Sequence, residues 1–200
     1  MNNEESAKMD PAPIGDATGP AADKRTTLLF VEDSPSHLAD ILQAIDRFEP
    51  TWSYEVVGDA LTAFRWLTVN VPSIIVIDVM LPAVPGVPAL AEGAYLAAMI
   101  RAKREVAPTW RGHVREDSRG VPIVFLTARG AANLHEQLNE IGLPGAAIAD
   151  ADQDPSEWSA EACVSGVIAE KSSAVSTGVA FLKKVLRPLV PKARSVGHHA

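Results

Sequence analysis

The chain has a single cysteine, Cys163, in 200 residues. An intramolecular disulfide framework is therefore excluded, and the lone thiol fits a reducing cytoplasm. It lies in the apolar stretch Ala162-Cys163-Val164 and reads as a small buried hydrophobe rather than a nucleophile. Positive charge is also scarce. Lysine and arginine number 18 against 25 acidic residues, for a net charge of −7 and a pI near 5.2. Non-specific attachment to a phosphate backbone needs a basic face, so DNA is not expected as a partner. No apolar run is long enough to cross a membrane. The opening Met1-Asn2-Asn3-Glu4-Glu5 lacks the basic start and apolar core of a signal peptide. The expectation is a soluble cytoplasmic protein.

What is present is a core. Hydrophobic residues make up 47% of the chain, enough for one α/β domain with tails. Residues 1–25 are rich in Ala, Pro, Gly and Asp without apolar period and read as a disordered tail. Residues 191–200 read the same way, and the His198-His199 pair lacks a third metal ligand nearby. Between the tails, strand and helix patterns alternate. Thr27 to Val31 and Ser73 to Ile77 are apolar runs of the kind buried on both faces in a parallel sheet. Tyr54 to Val57, Val121 to Leu126 and Val164 to Ala169 supply three more strands. Ser34 can cap a helix with Pro35 at its first position, carrying Leu38, Ile41, Leu42 and Ile45. Asp59 can cap a second, carrying Leu61, Phe64 and Leu67. Leu90 to Val106 and Asn133 to Ile141 are the third and fourth, with Gly142 as a stop for the fourth. A last helix is expected over Val175 to Leu186, with Val179, Leu182, Val185 and Leu186 on its buried face and Pro188 ending it.

Such alternation implies right-handed βαβ units with every strand end on one rim, where open α/β sheets place their sites. The rim would collect Glu32, Asp33, Asp78, Thr127 and Lys171. Three crowded carboxylates repel unless a cation or a proton offsets them. A divalent metal beside a reactive aspartate is the chemistry this pattern suggests.

Five motifs in order, Val31-Glu32-Asp33, Asp78-Val79-Met80-Leu81-Pro82 with Gly86, Leu126-Thr127-Ala128, and Lys171, resemble the receiver domain of bacterial response regulators. The resemblance covers residues 26–190. It implies a flavodoxin-like, doubly wound α/β sandwich with five parallel strands in the order 2-1-3-4-5. It also implies that Asp78 accepts phosphate from a histidine kinase or a histidine phosphotransfer protein. Glu32, Asp33, Asp78 and the backbone carbonyl of Met80 would hold Mg²⁺. Thr127 would contact the phosphoryl group, and Lys171 would pair with its oxygens. The protein would be a phosphoacceptor that promotes its own phosphorylation and dephosphorylation, not a metabolic enzyme. No room for an output domain follows Leu186 in this sequence, so the output would pass to a downstream protein target; a homodimer is compatible with this. The alternative is a pseudo-receiver interaction module that never carries phosphate. A haloacid-dehalogenase-type phosphohydrolase would want an aspartate at position 80, where Met80 stands.

The chain departs from the family in four places. Extra residues near 103–119 suggest an extended third helix and a long exposed loop. Their basic run, Arg101, Lys103, Arg104, Arg111 and Arg115, reads as a solvated face rather than a nucleic-acid contact. Extra residues near 144–163 carry Asp150, Asp152 and Asp154; Pro155, where a calcium loop wants glycine, disfavours calcium binding. An acidic loop leading into a short helix from Ser156 to Ala162 is expected there. Ile168 stands where the family carries an aromatic switch residue, and Ser172 where it carries a proline.

Overall fold

Strand β1, Thr27–Val31, sits centrally because every residue after Thr27 is buried. In this computed structural model, residues 25–82, 92–101, 113–128, 134, 136, 149–159, 166–171, 173 and 177–190 are described. β1 pairs in parallel with β2, Ser53–Val57, on one side and with β3, Ile74–Asp78, on the other. β3 pairs with β4, Ile123–Thr127. β2 alternates exposure and partial burial, as an edge strand should, whereas β3 and β4 are buried throughout.

Among the described residues the sheet has six strands in the order β2-β1-β3-β4-β6-β5, one more than expected. The additional strand is β5, Ala149–Asp150, which pairs in parallel with β6, Val167–Glu170. It lies in the second insertion and covers the edge that would otherwise end the sheet. Below it, the side chain of Trp158 is buried and donates from Nε1 to the Asp150 carbonyl at 3.1 Å. Asp152, Asp154 and Glu157 are exposed, as the acidic sequence leads one to expect, but Ala151 and Trp158 of the same segment are buried. Among the described residues of the helix expected from Ser156 to Ala162, a 3-10 turn forms, Pro155–Glu157, capped by Asp154; residues 160–162 lie outside them. Strand β6 also starts three residues later than the apolar pattern from Val164 suggests.

Strand alternation divides the core. Leu29, Val31, Ile75, Ile77, Ile123, Phe125 and Ile168 face helices α2, Ala60–Val69, and α3, Glu92–Arg101. Leu28, Phe30, Ile74, Val76, Val124 and Leu126 face α1, Pro35–Phe48, and the final helix α4, 178–190. Asp59 caps α2 by accepting from the Thr62 N–H at 2.8 Å. Ser34 stands at the N-cap of α1, but its hydroxyl meets Ser36 instead of a backbone N–H.

Helix α4 begins at Gly178–Phe181, because Thr177 is extended, and not at Val175. Gly178 has φ +26°, and an added Cβ would press on the Asp40 carbonyl of α1 at 3.0 Å, so glycine is needed at this crossing. Val179 is 39% exposed and does not join the buried face, whereas Leu182, Val185 and Leu186 do. Pro188 does not end the helix. The chain widens into a π turn over Leu182–Leu186 and continues helically to residue 190. The π turn changes the carbonyl spacing that a following proline ring would otherwise meet.

Helix α3 is described over Glu92–Arg101 of the expected 90–106, and of the first insertion residues 113–119 are described, with the 3-10 turn Glu116–Gly120. Arg101 is not a solvated residue. Its guanidinium donates to the carbonyls of Arg119 at 2.5 Å and Val121 at 2.7 Å. Residues 1–24 and 191–200, Gly86, Lys103, Arg104, Arg111, Gly142, Cys163 and Ser172 lie outside the described residues, as does most of the expected fourth helix. No helix among the described residues is long and apolar enough to cross a membrane.

Candidate functional site

The parallel sheet brings four strand ends to one rim. Glu32 and Asp33 follow β1, Asp78 ends β3, Thr127 ends β4 and Lys171 follows β6. Pairing sets their relative heights. The Asp78 position pairs with Leu126, and Thr127 with Glu170. The Lys171 N–H donates to the Thr127 carbonyl at 2.7 Å, so the lysine leaves the sheet directly beside Thr127. Glu32, Asp78 and Thr127 are buried, whereas Asp33 is exposed.

The side chains of Glu32, Asp33, Asp78 and Lys171 converge. Carboxylate oxygens of Glu32, Asp33 and Asp78 lie within 4.8 Å of one another. Lys171 Nζ lies 2.8 Å from Asp78 Oδ2 and 2.8 Å from Glu32 Oε2. Asp78 Oδ1 accepts from the Met80 N–H at 3.0 Å, which fixes the carboxylate plane. Burial alone would lower the Lys171 pKa. Hydrogen bonds and charge from Asp78 and Glu32 outweigh it, and the ammonium ends above its ordinary value. The crowding of three acids is thus already relieved at two of them by one internal cation.

These residues fit a hard divalent cation. Opposite oxygens around octahedral Mg²⁺ are about 4.2 Å apart, comparable to the spread of this trio. Glu32 Oε2 is buried, and the Lys171 ammonium lies 2.8 Å from it. A carboxylate oxygen with one ammonium beside it keeps a lone pair for a metal ion.

Helix α3 arrives from the other side. An added Cβ on Gly93 would overlap the Asp78 carbonyl oxygen, so this position needs glycine for the close approach. The Gly93 N–H also reaches the Val79 carbonyl at 3.4 Å. Two further contributors escaped the strand-end pattern. The Ser34 N–H donates to Glu32 Oε1 at 3.3 Å, and His37 Nδ1 lies 2.9 Å from the same oxygen. His37 is the third residue of α1, whose side chains lean back toward the rim. That placement was the signal available for it.

Ile168 is buried in the α2–α3 half of the core with Phe125 and Leu134. It has no polar atom with which to reach the rim.

No protein-family model and no curated protein matches the chain. Solved structures do. The receiver domain of a sensor histidine kinase from Pseudomonas aeruginosa PAO1, described with magnesium in its active-site cleft, aligns with TM-score 0.53 and 19% identity over 84% of this chain and 98% of that one. A CheY-like response regulator receiver domain protein from Methanospirillum hungatei gives 0.52 and 13%, covering 86% and 98%. The chain has the receiver fold. A phosphorylated cyanobacterial phytochrome response regulator also aligns, at 0.50 and 16%, covering 82% and 91%. At these identities the likeness concerns the receiver fold, and the chemistry must be argued from the residues above. The strand order β2-β1-β3-β4-β6 reproduces the expected receiver order, with β5 added at its edge.

Proposed function

We propose that this chain is a response regulator receiver of a two-component or phosphorelay system, phosphorylated on Asp78. The observation that carries the reading is the bridge from Lys171 Nζ to buried Asp78, 2.8 Å long, within a trio of carboxylates. Glu32, Asp33, Asp78 and the Met80 carbonyl would hold Mg²⁺. When bound, the ion would neutralise charge on the transferring phosphoryl group.

The chain's own residues do the rest. Asp78 is the nucleophile. Its carboxylate forms the new P–O bond as the P–N bond of a phosphohistidine donor breaks, and the departing imidazole is protonated from solvent. The Met80 N–H holds Oδ1 and so leaves Oδ2, on the Lys171 side, to attack. Lys171 then pairs with phosphoryl oxygens, and the Thr127 hydroxyl donates to another. The phosphate donor is a histidine kinase or a histidine phosphotransfer protein, and the output is a contact with a downstream protein. The chain accepts phosphate and can speed its loss, without metabolic turnover.

Intact mass after incubation with acetyl phosphate tests this. One phosphoryl group should be gained by the wild type with Mg²⁺ and none without it. Asp78→Asn should gain none. An unmodified wild type in Mg²⁺ would reduce the chain to a receiver-fold interaction module.

A further inference from the structure

The two oxygens of Glu32 live in different surroundings. Oε1 faces two nitrogen donors, His37 Nδ1 at 2.9 Å and the Ser34 N–H at 3.3 Å. Oε2 is buried and lies 2.8 Å from Lys171 Nζ, on the side of Asp78. We infer that His37 is a positioning residue for the metal site: it pins Glu32 Oε1 and thereby presents Oε2 to the cation. This rests on the proposed cation site at Glu32, Asp33 and Asp78.

The proton placement follows from the neighbours. His37 Nδ1 also lies 3.2 Å from Lys171 Nζ. One nitrogen cannot both donate to Glu32 and accept from Lys171. A buried carboxylate is the stronger acceptor, so Nδ1 carries hydrogen and donates to Oε1. The Lys171 ammonium is left to its two carboxylates. A carboxylate with one oxygen held by donors has lost the rotation that would let it meet a metal with the wrong atom. Partners of this kind, which touch a ligand and not the metal, commonly govern affinity.

The ring is 52% exposed, so packing does not explain its placement. Its first-turn position on α1 is set by Pro35, which starts the helix two residues earlier. The rim side of that turn is where its Nδ1 meets Glu32. Ala at 37 removes the donor. Gln at 37 restores an N–H of similar reach and cannot form an imidazolium.

Calorimetric titration of Mg²⁺ into the intact chain tests the inference, with Mn²⁺ electron paramagnetic resonance as a second readout. His37→Ala should weaken binding about tenfold, and His37→Gln should recover most of that loss. Melting temperatures without metal should barely differ between the two variants. Asp33→Ala serves as the control for the site itself and should abolish binding. If Asp33→Ala loses Mg²⁺ while His37→Ala binds as the wild type does, the metal site stands and His37 has no part in it. If Gln is as weak as Ala, the hydrogen-bond role is wrong. If Asp33→Ala binds like wild type, or the wild type does not bind, the site and the inference fall together.

Discussion

Lys171 and Arg101 are cations drawn out of water at opposite ends of the same parallel sheet. Lys171 follows the C-terminal end of β6 and meets the carboxylates of Asp78 and Glu32. Arg101 lies where the chain approaches β4 and meets the main-chain carbonyls of Arg119 and Val121. Burial pushes the Arg101 guanidinium down to about 10, while the two acids raise the Lys171 ammonium. Both remain charged at neutral pH. The difference lies in what the partners could do without them. Carboxylates on a rim can exchange an ammonium for a metal or a phosphoryl group. Carbonyls inside a chain reversal have no such exchange. One end is therefore built for replacement of its cation and the other for permanence.

The sharpest way to break that contrast is to remove each cation and add Mg²⁺. Lys171→Met leaves two buried carboxylates uncompensated and should cost about 3 kcal/mol in metal-free buffer. Millimolar Mg²⁺ should recover much of the loss, because binding to the folded state stabilises it by mass action. Arg101→Met strands two carbonyls and should cost about 2 kcal/mol, with no recovery in Mg²⁺. Urea midpoints with and without Mg²⁺ measure both. Equal recovery in the two variants would erase the distinction.

Helix α3 joins the two ends, with Gly93 against Asp78 and Arg101 against the approach to β4. Gly93→Ala should press on the Asp78 main chain, destabilise by about 2 kcal/mol and slow phosphorylation from acetyl phosphate. A stable variant that is phosphorylated at the wild-type rate would show that the rim tolerates displacement of α3.

A smaller effect sharpens the contrast in alkali. The folded-state pKa of Lys171 is raised, so its stabilisation is complete below the ordinary lysine pKa and disappears as pH rises through the raised value. Metal-free wild type should lose stability across that window, and Lys171→Met should lose less. Parallel alkaline curves in thermal melts would place the ion pair's contribution elsewhere.

The rim was legible in the sequence because strands buried on both faces announce their own ends. Glu32, Asp78, Thr127 and Lys171 each stand at or just past such an end. His37 was harder to read, since its first-turn placement points toward the rim but does not say which side chain of that turn will meet Glu32. Strand β5 was hidden for another reason. Ala149 and Asp150 are too few to show a period, and their strand exists only through pairing with β6 and burial of Trp158. The aspartates around them read as solvated, yet Asp152 accepts from the Ser173 hydroxyl at 2.9 Å, two residues beyond Lys171. Arg101 misled because a basic run looks like a wet surface until the carbonyls it satisfies are known. Pro188 misled because a local rule gave way to a widened turn.

The central claim is that Asp78 itself carries the phosphoryl group. An acyl phosphate on a carboxylate is reduced by borohydride to an alcohol, so phosphorylated Asp78 should become homoserine. Protein treated with acetyl phosphate and Mg²⁺, then with borohydride, can be digested and its peptides sequenced by mass spectrometry. Homoserine should appear at position 78, dependent on Mg²⁺, with no conversion at Glu32 or Asp33. Conversion at another carboxylate, with Asp78 intact, would contradict the claim.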